Sequence, residues 1–288
     1  MGFWVSINGV LAPAEEARIS VLDNGFTLGD GVYETLRTYG GRPFRLDLHL
    51  ARLRASGLRV GIEVAPTDAD IGGWLEAAIR AVGESECYVR TIVTRGVGDV
   101  TYHFERVQGP TVAILVRPFE PLPATHYERG IAAAVVSVRR NPADAADPAI
   151  KSCSLLNSIL AVREAQARGC VEGIMLNTRG EVAEGASSNV FAVRDGALVT
   201  PPLDAGILPG ITRQLVMEIA RESGIVVREE ALSEGALRRA DEAFITSSVR
   251  EIVPIATLDG RAVGDGSPGP LTRQLLLAFR VYAAHQGG

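Results

Sequence analysis

Apolar and polar positions alternate with period two in the segment GDGVYETLRTYGG. Val32, Leu36 and their even-numbered neighbours fall on one side, and Tyr33, Thr35, Arg37 and Tyr39 on the other. That period predicts a strand with Tyr33, Thr35 and Arg37 on one face. Upstream, FWVSING and GVLAPAEE flank Asn8-Gly9, a turn pair that predicts a hairpin. Downstream the period changes. Leu46, Leu50 and Leu53 in LDLHLARLRASG recur at helical spacing, and ADIGGWLEAAIRAVG reads as a second helix. CYVRTIVTRG and PTVAILVRPF return to strand character.

The stretch PFEPLPATHYERG, 118–130, has three prolines and little periodicity, and is expected to be a linker. It divides the chain into an N-terminal α/β domain, 1–117, and a C-terminal domain, 131–288. In the second part GIAAAVVSV, GIMLN, EVAEG, SNVFAVRDGALVT and EAFITSS read as strands. SLLNSILAVREAQARG, ITRQLVMEIARESG and PGPLTRQLLLAFRVYAAH read as helices, the second with Ile211, Leu215 and Ile219 on one face. The fold class is mixed α/β in two domains.

Composition narrows the function. Hydrophobic residues make up 47% of the 288, enough for a sizeable core. A net charge of -5 gives no basic excess to neutralise phosphates, which argues against nucleic acid as the main partner. Three cysteines, Cys87, Cys153 and Cys170, read as reduced thiols. The start of the chain has no leader pattern and no apolar run is long enough for a bilayer, so the expectation is a cytoplasmic protein without a membrane partner. The four histidines lie far apart and no metal site is expected.

One count changes the picture more than these. Of 29 basic residues 28 are arginine, and the single lysine is Lys151. Arginine serves wherever charge suffices, but a guanidinium cannot form an imine. A lone lysine therefore points to amine chemistry, although chance survival of one surface lysine accounts for the count equally well. Ile150, Leu155, Leu156 and Ile159 around it are expected to desolvate the amine.

Three further features fit a flat, phosphorylated ring held by that amine. Glu184 in EVAEGASSNVF offers a carboxylate beside a ring nitrogen, with a glycine after it for close backbone approach. GILPGITRQL offers a helix start whose Ile211 and Thr212 N–H groups make an anion site. Thr246-Ser247-Ser248 adds hydroxyls after a strand, and Arg52 adds charge. Each alone is ordinary: most glutamates are solvated, and most helix starts hold no phosphate. GVGD at 96–99 is no P-loop, no G-x-S-x-G elbow exists, and Cys153 has no nearby histidine.

Together these motifs resemble the class IV aminotransferases, the fold type IV pyridoxal 5'-phosphate (PLP) enzymes, over essentially the whole chain. The matching segments are GDGVYETLR, HLARLRASG, YVRTIVTRG, IKSCSLLNSILAVREA, EVAEGASSNVF, GILPGITR and ITSSVREIVP. The resemblance implies a smaller N-terminal α/β domain and a larger C-terminal domain around a β-barrel-like core. It also implies a homodimer with its active site near domain and subunit interfaces, acting on a small amino donor and a 2-oxo acid acceptor. It implies Lys151 as the Schiff-base lysine and Glu184 as the pyridinium partner. Arg52, Ser188, Asn189, Leu208, Ile211, Thr212, Ser247 and Ser248 fall on cofactor-binding positions, and Tyr33, Thr35, Arg37, Tyr88 and Arg90 on substrate positions.

The substrate pocket is a hybrid. An arginine pair suits substrate carboxylates, with Arg37 paired to Glu34 as the plainer alternative. Leu156 stands where branched-chain enzymes usually carry tyrosine, and IKSCSLL resembles D-amino acid transaminases. The Arg-x-His carboxylate trap of those enzymes is replaced by Val100-Thr101-Tyr102. YETLR resembles aminodeoxychorismate lyases, whereas Glu251 in REIVP fits transaminases. Branched-chain or hydrophobic L-amino acids are slightly favoured; D-amino acids, (R)-amines and a lyase reaction stay open.

Overall fold

The computed structural model describes residues 2–100 and 102–287, without the side chains of 286 and 287. It divides into two compact units. The first runs to Glu120 and takes in Ile150–Ser154 and the chain from Ala283; the second holds Pro121–Ala149 and Leu155–Tyr282.

The first unit is a six-stranded antiparallel sheet carrying two long helices. Its elements are β1 (Trp4–Ile7), β2 (Val10–Pro13), α1 (Asn24–Thr27), β3 (Gly31–Tyr39), β4 (Arg42–Pro43), α2 (Leu46–Arg59), α3 (Asp68–Val82), β5 (Cys87–Thr94) and β6 (Thr111–Pro118). The strand order is β2-β1-β6-β5-β3-β4. Asn8 and Gly9 turn the first hairpin with φ of 49° and 86°, the left-handed pair that a two-residue turn requires. In β3 burial alternates residue by residue, so Val32, Glu34, Leu36 and Thr38 face the core. Leu50 and Leu53 of α2, and Ile71 and Leu75 of α3, pack there with Val32, Leu36, Val89 and Ile114. Helix α3 starts in a reciprocal Thr67–Asp70 capping box and stops at Gly83, whose φ is 77°.

The second unit continues with α4 (Ala124–Glu128), β7 (Ile131–Val135), α5 (Ala143–Ala146), α6 (Leu156–Ala167), β8 (Glu172–Leu176), β9 (Val182–Gly185), β10 (Asn189–Arg194) and β11 (Ala197–Thr200). It ends with α7 (Ile211–Glu222), β12 (Val227–Glu229), α8 (Glu234–Arg238), β13 (Glu242–Ser247), β14 (Glu251–Leu258), β15 (Arg261–Ala262) and α9 (Pro270–Gly287). The sheet order is β12-β11-β10-β13-β14-β7-β8-β9, with β15 added to β14. An antiparallel bridge between Gly185 and Ser188 brings the β9 end back to β10, so the sheet curls on itself. Strands β8 to β11 are buried almost throughout, which is why they are mostly apolar and lack a period-two alternation; Glu172, Glu184 and Asn189 are buried polar exceptions. This architecture, a smaller α/β unit and a larger unit around a curled sheet, is that of fold type IV.

The segment 118–130 contains helix α4, and the division falls after Glu120 within it. The segment Ile150–Ser154 joins the first unit and not the second. Backbone pairing draws it there: Tyr33 N–H donates to Lys151 O at 2.9 Å, Cys153 N–H donates to Gly31 O at 2.8 Å, and Ser152 bridges Val32.

Among the described residues no helix is long and apolar enough to cross a membrane, and no cluster of three or more His, Cys, Asp or Glu side chains is arranged to hold a metal. The three cysteines are free thiols.

Candidate active site

Pairing with β3 places Lys151 beside the odd-numbered face of that strand. Its Nζ lies 4.5 Å from the centroid of the Tyr33 ring, and the Arg90 guanidinium carbon lies 4.0 Å from the same centroid. Strand register sets this meeting, because Arg90 of β5 pairs with Thr35 of β3. Arg90 makes no ion pair with any described residue. Thr35 Oγ1, on the same face as Tyr33, is buried without a hydrogen-bond partner among the described residues. Burial raises the Tyr33 phenol above its usual range, with the Arg90 charge opposing. Burial also pushes the Cys153 thiol up to about 11, again against Arg90, so it is a protonated packing residue.

The apolar shell expected for Lys151 is only partly present. Ile150 packs on the first core, but Leu156 is 68% exposed and Ile159 51% exposed. Both lie on the outer face of α6, whose buried residues are Ala161 and Ala165. Tyr33 supplies the flat apolar surface that those residues were expected to give.

Behind Tyr33, on the core face of β3, Glu34 forms a buried cluster that sequence reasoning did not find. Arg52 donates to it from Nε at 2.6 Å and from Nη2 at 2.8 Å, and His49 Nδ1 lies 2.7 Å from Oε2. Burial alone would raise this carboxyl. The hydrogen bonds from Arg52 and His49 and their charge outweigh it and hold the carboxyl at about 2. Burial lowers His49; Glu34 opposes this, while the charges of Arg52 and Lys151 add to it. Arg52 is therefore no solvated helix residue: two of its nitrogens are committed to Glu34. Arg37 pairs with Glu86 at 2.6 Å, not with Glu34, and its guanidinium packs on the rings of Tyr39 and Phe119. The Tyr88 ring carries the guanidinium of Arg117, centred 4.8 Å away. Val100 and Tyr102 are exposed, and Thr101 lies outside the described residues.

In the second unit Glu184 is 5% exposed near the end of β9. Arg140 Nε donates to Oε1 at 2.8 Å, while Leu208 N–H and Asn189 Nδ2 donate to Oε2 at 3.0 and 3.3 Å. Asn189 Nδ2 also donates to Leu208 O at 2.9 Å, tying β10 to the 206–210 loop. Arg140 is steadied by Asn157, which accepts from its Nη1 at 3.2 Å. Arg140 and Asn157 escaped the sequence reading because they lie 44 and 27 positions from Glu184; only the fold joins them.

The phosphate cup predicted at α7 has the features of an anion site. Gly210 is the N-cap and offers no side-chain cap, so the first N–H groups of the helix have no side-chain acceptor there. Any Cβ at Gly210 would overlap Asn189 Oδ1. Thr212 Oγ1 and Thr246 Oγ1 are buried and have no hydrogen-bond partner among the described residues. Buried hydroxyls without partners are costly, so two beside an uncapped helix fit a phosphate that takes up their donors. Thr246 stands opposite Asn189 in the β10–β13 register. Ser247 is held by Arg250 at 3.3 Å and Ser188 by Glu172 at 3.0 Å. These donor groups, with Glu184 as the acid for a ring nitrogen, fit PLP.

Comparison with known proteins agrees with this chemistry. The family described as amino-transferase class IV matches residues 31–258. A protein of Methanocaldococcus jannaschii, provisionally named a branched-chain-amino-acid aminotransferase, is 39% identical over 96% of this chain and 95% of its own length. The D-alanine aminotransferase of Bacillus licheniformis is 32% identical over 96% and 95%. The crystal structure of the Escherichia coli branched-chain amino acid aminotransferase superposes with a TM-score of 0.93 at 33% identity, covering 99% of this chain and 96% of that one. The fold and site define a PLP-dependent aminotransferase. The chain belongs to the class IV aminotransferases, within the group that holds the branched-chain and D-amino acid enzymes.

Proposed function

We propose that this aminotransferase moves the amino group between a branched-chain or other hydrophobic L-amino acid and a 2-oxo acid such as 2-oxoglutarate, with PLP bound through Lys151. When bound, PLP supplies an aldehyde for the amine and a protonated ring that draws electrons from the substrate α-carbon. Lys151 Nζ would hold the cofactor through its aldehyde carbon and, once released, would move the substrate α-proton as general base and then acid. Glu184 keeps a proton at the ring nitrogen, and Arg140, Asn189 and the Leu208 N–H hold its carboxylate in place. The N–H groups of Ile211 and Thr212, with the hydroxyls of Thr212, Thr246, Ser247 and Ser248, receive the phosphate. Arg52 adds charge to it.

The observation that carries the substrate reading is Arg90 over Tyr33. A guanidinium without a carboxylate partner among the described residues, stacked on the ring that Lys151 also touches, suits the carboxylate of an α-amino acid or the second carboxylate of glutamate. Arg37 serves that role poorly, because Glu86 already holds it. The lean to L-amino acids rests on the relatives named for branched-chain substrates and on the exposed Val100 and Tyr102 in place of a carboxylate trap. The D-alanine relative favours the D-reading to a lesser degree.

The test is a set of half-reactions. Holoenzyme is mixed separately with L-leucine, D-alanine, L-glutamate and (R)-phenylethylamine, and the cofactor spectrum is followed. L-leucine and L-glutamate are expected to aminate the cofactor fastest. Faster amination by D-alanine would replace the L-reading with the D-reading. Pyruvate released from aminodeoxychorismate without an oxo acid acceptor would replace transfer with elimination.

A further inference from the structure

Glu172 and Arg250 form a buried ion pair that none of the roles above uses. Glu172, at the start of β8, is 2% exposed, and its Oε2 lies 2.8 Å from Arg250 Nη2. The pair reaches into two turns. On one side Glu172 Oε1 accepts from Ala186 N–H at 3.0 Å, and Oε2 accepts from the Ser188 hydroxyl at 3.0 Å. Arg250 Nη2 donates to the Ser187 hydroxyl at 2.9 Å and to Ser187 O at 3.2 Å. These contacts hold the 185–188 turn, which joins Glu184 to Asn189. On the other side Arg250 belongs to the 247–250 turn. Its Nε donates to Ser247 Oγ and its N–H to Ser247 O, each at 3.3 Å.

The second turn is strained as well as tethered. Glu251, which closes it, has φ of 59°, in the left-handed region that an L residue with a side chain enters only at a steric cost. Arg280 of α9 secures the Glu251 carboxylate at 2.8 Å, and Tyr127 Oη donates to Arg250 O at 3.2 Å. The first turn is equally intolerant: a Cβ on Gly185 would overlap the Ser188 hydroxyl. A buried ion pair is a poor stabiliser compared with apolar packing of the same volume, so stability alone does not account for it. What the pair accomplishes geometrically is specific. It locks the turn beside the ring-nitrogen carboxylate to the turn that bears the Ser247 and Ser248 hydroxyls.

We propose that Glu172 and Arg250 are positioning residues that fix the ring-nitrogen and phosphate contacts of the cofactor relative to each other, and so govern how long the cofactor stays bound. The proposal rests on the PLP reading above. Holoenzyme forms of wild type, Arg250→Ala, Arg250→Lys and Glu172→Gln are dialysed, and the rate of PLP loss is measured. The 31P chemical shift of the bound phosphate and the Tm of each form are recorded alongside. Arg238→Gln, which breaks a different ion pair of the same unit, with Glu234 and Asp259, is the stability control.

Arg250→Ala and Glu172→Gln are expected to release PLP at least ~10-fold faster, which is about 1.4 kcal/mol, and to shift the 31P signal. Arg250→Lys, which keeps the charge but not the fork of donors, is expected to fall between them and wild type. Release that follows Tm alone, with Arg238→Gln on the same line and an unmoved 31P signal, would reduce the pair to an ordinary structural one. If Arg250→Ala does not fold, Arg250→Lys and Glu172→Gln decide the matter by the same readouts. A wild-type chain that takes up no PLP would overturn the cofactor reading itself, whereas unaltered retention in the variants would overturn the clamp only.

Discussion

Arg140 and Glu184 are joined by a 2.8 Å hydrogen bond from Nε to Oε1, with both side chains largely buried. The arginine fixes which way the carboxylate points, and Leu208 N–H and Asn189 close the other oxygen. Replacing Glu184 by Gln keeps the shape but removes the charge that holds a ring proton. Expected are a fall in kcat of ~10²–10³ and a lower Tm, because the largely buried Arg140 loses its charged partner. Steady-state kinetics with L-leucine and 2-oxoglutarate measure it; wild-type kcat would show that another carboxylate does this work.

Lys151→Arg keeps a positive charge near Tyr33 but removes the amine that forms an imine. Turnover should fall by at least ~10³. PLP uptake should become non-covalent, read as an absorbance typical of free aldehyde. Preserved turnover would mean that the amine is dispensable.

Glu34 makes stability depend on pH with a definite sign. Its carboxyl sits at about 2 in the folded chain against 4.5 ordinarily. The unfolded chain therefore takes up a proton first as the pH falls, and the contribution of Glu34 is complete above 4.5 and lost on the way down to about 2. His49 is lowered from 6.5, so it too takes up its proton at lower pH in the folded than in the unfolded chain, and stability declines as the pH falls below 6.5. Urea midpoints between about pH 7 and about pH 3 should decline, more steeply below pH 4.5. Glu34→Gln should be less stable at neutral pH and lack the lower component. An identical acid limb in wild type and variant would remove Glu34 from this account.

Gly210→Ala puts a methyl group into Asn189 Oδ1 at the start of α7. Overpacking of this kind costs about 1–3 kcal/mol, and here it also displaces an amide that serves Glu184. Weaker PLP binding is expected along with a lower Tm. Calorimetry and cofactor titration read the two effects, and a silent substitution would show that the loop gives way freely.

The homodimer that the resemblance implies can be tested on α6, where Leu156, Ile159 and Leu160 are exposed at helical spacing. Ile159→Asp should turn a dimer into a monomer in light scattering after size exclusion. A monomeric wild type would contradict the dimer.

The strands and long helices were legible because their periods were clean. The alternation in β3 put Tyr33, Thr35 and Arg37 on one face, as found. Short pieces such as α4 and α5 were not, since four or five residues carry no period. Within the candidate site, Lys151 stands out in the sequence as a chemically unique residue, and Gly210 and Thr212 as a turn before a helix, which is the uncapped start that α7 has. It was not legible where charges meet only through the fold. Arg140 with Glu184, Glu172 with Arg250, and Glu34 with His49 and Arg52 are such pairs. Arg37 is a similar case: period two places it on the face of Tyr33, and only the fold brings Glu86 to it.

The most direct measurement is borohydride reduction of the holoenzyme followed by peptide mapping. The account predicts one phosphopyridoxyl group per chain, on the Nζ of Lys151. A label at the N-terminal amine instead, or none at all, would contradict it.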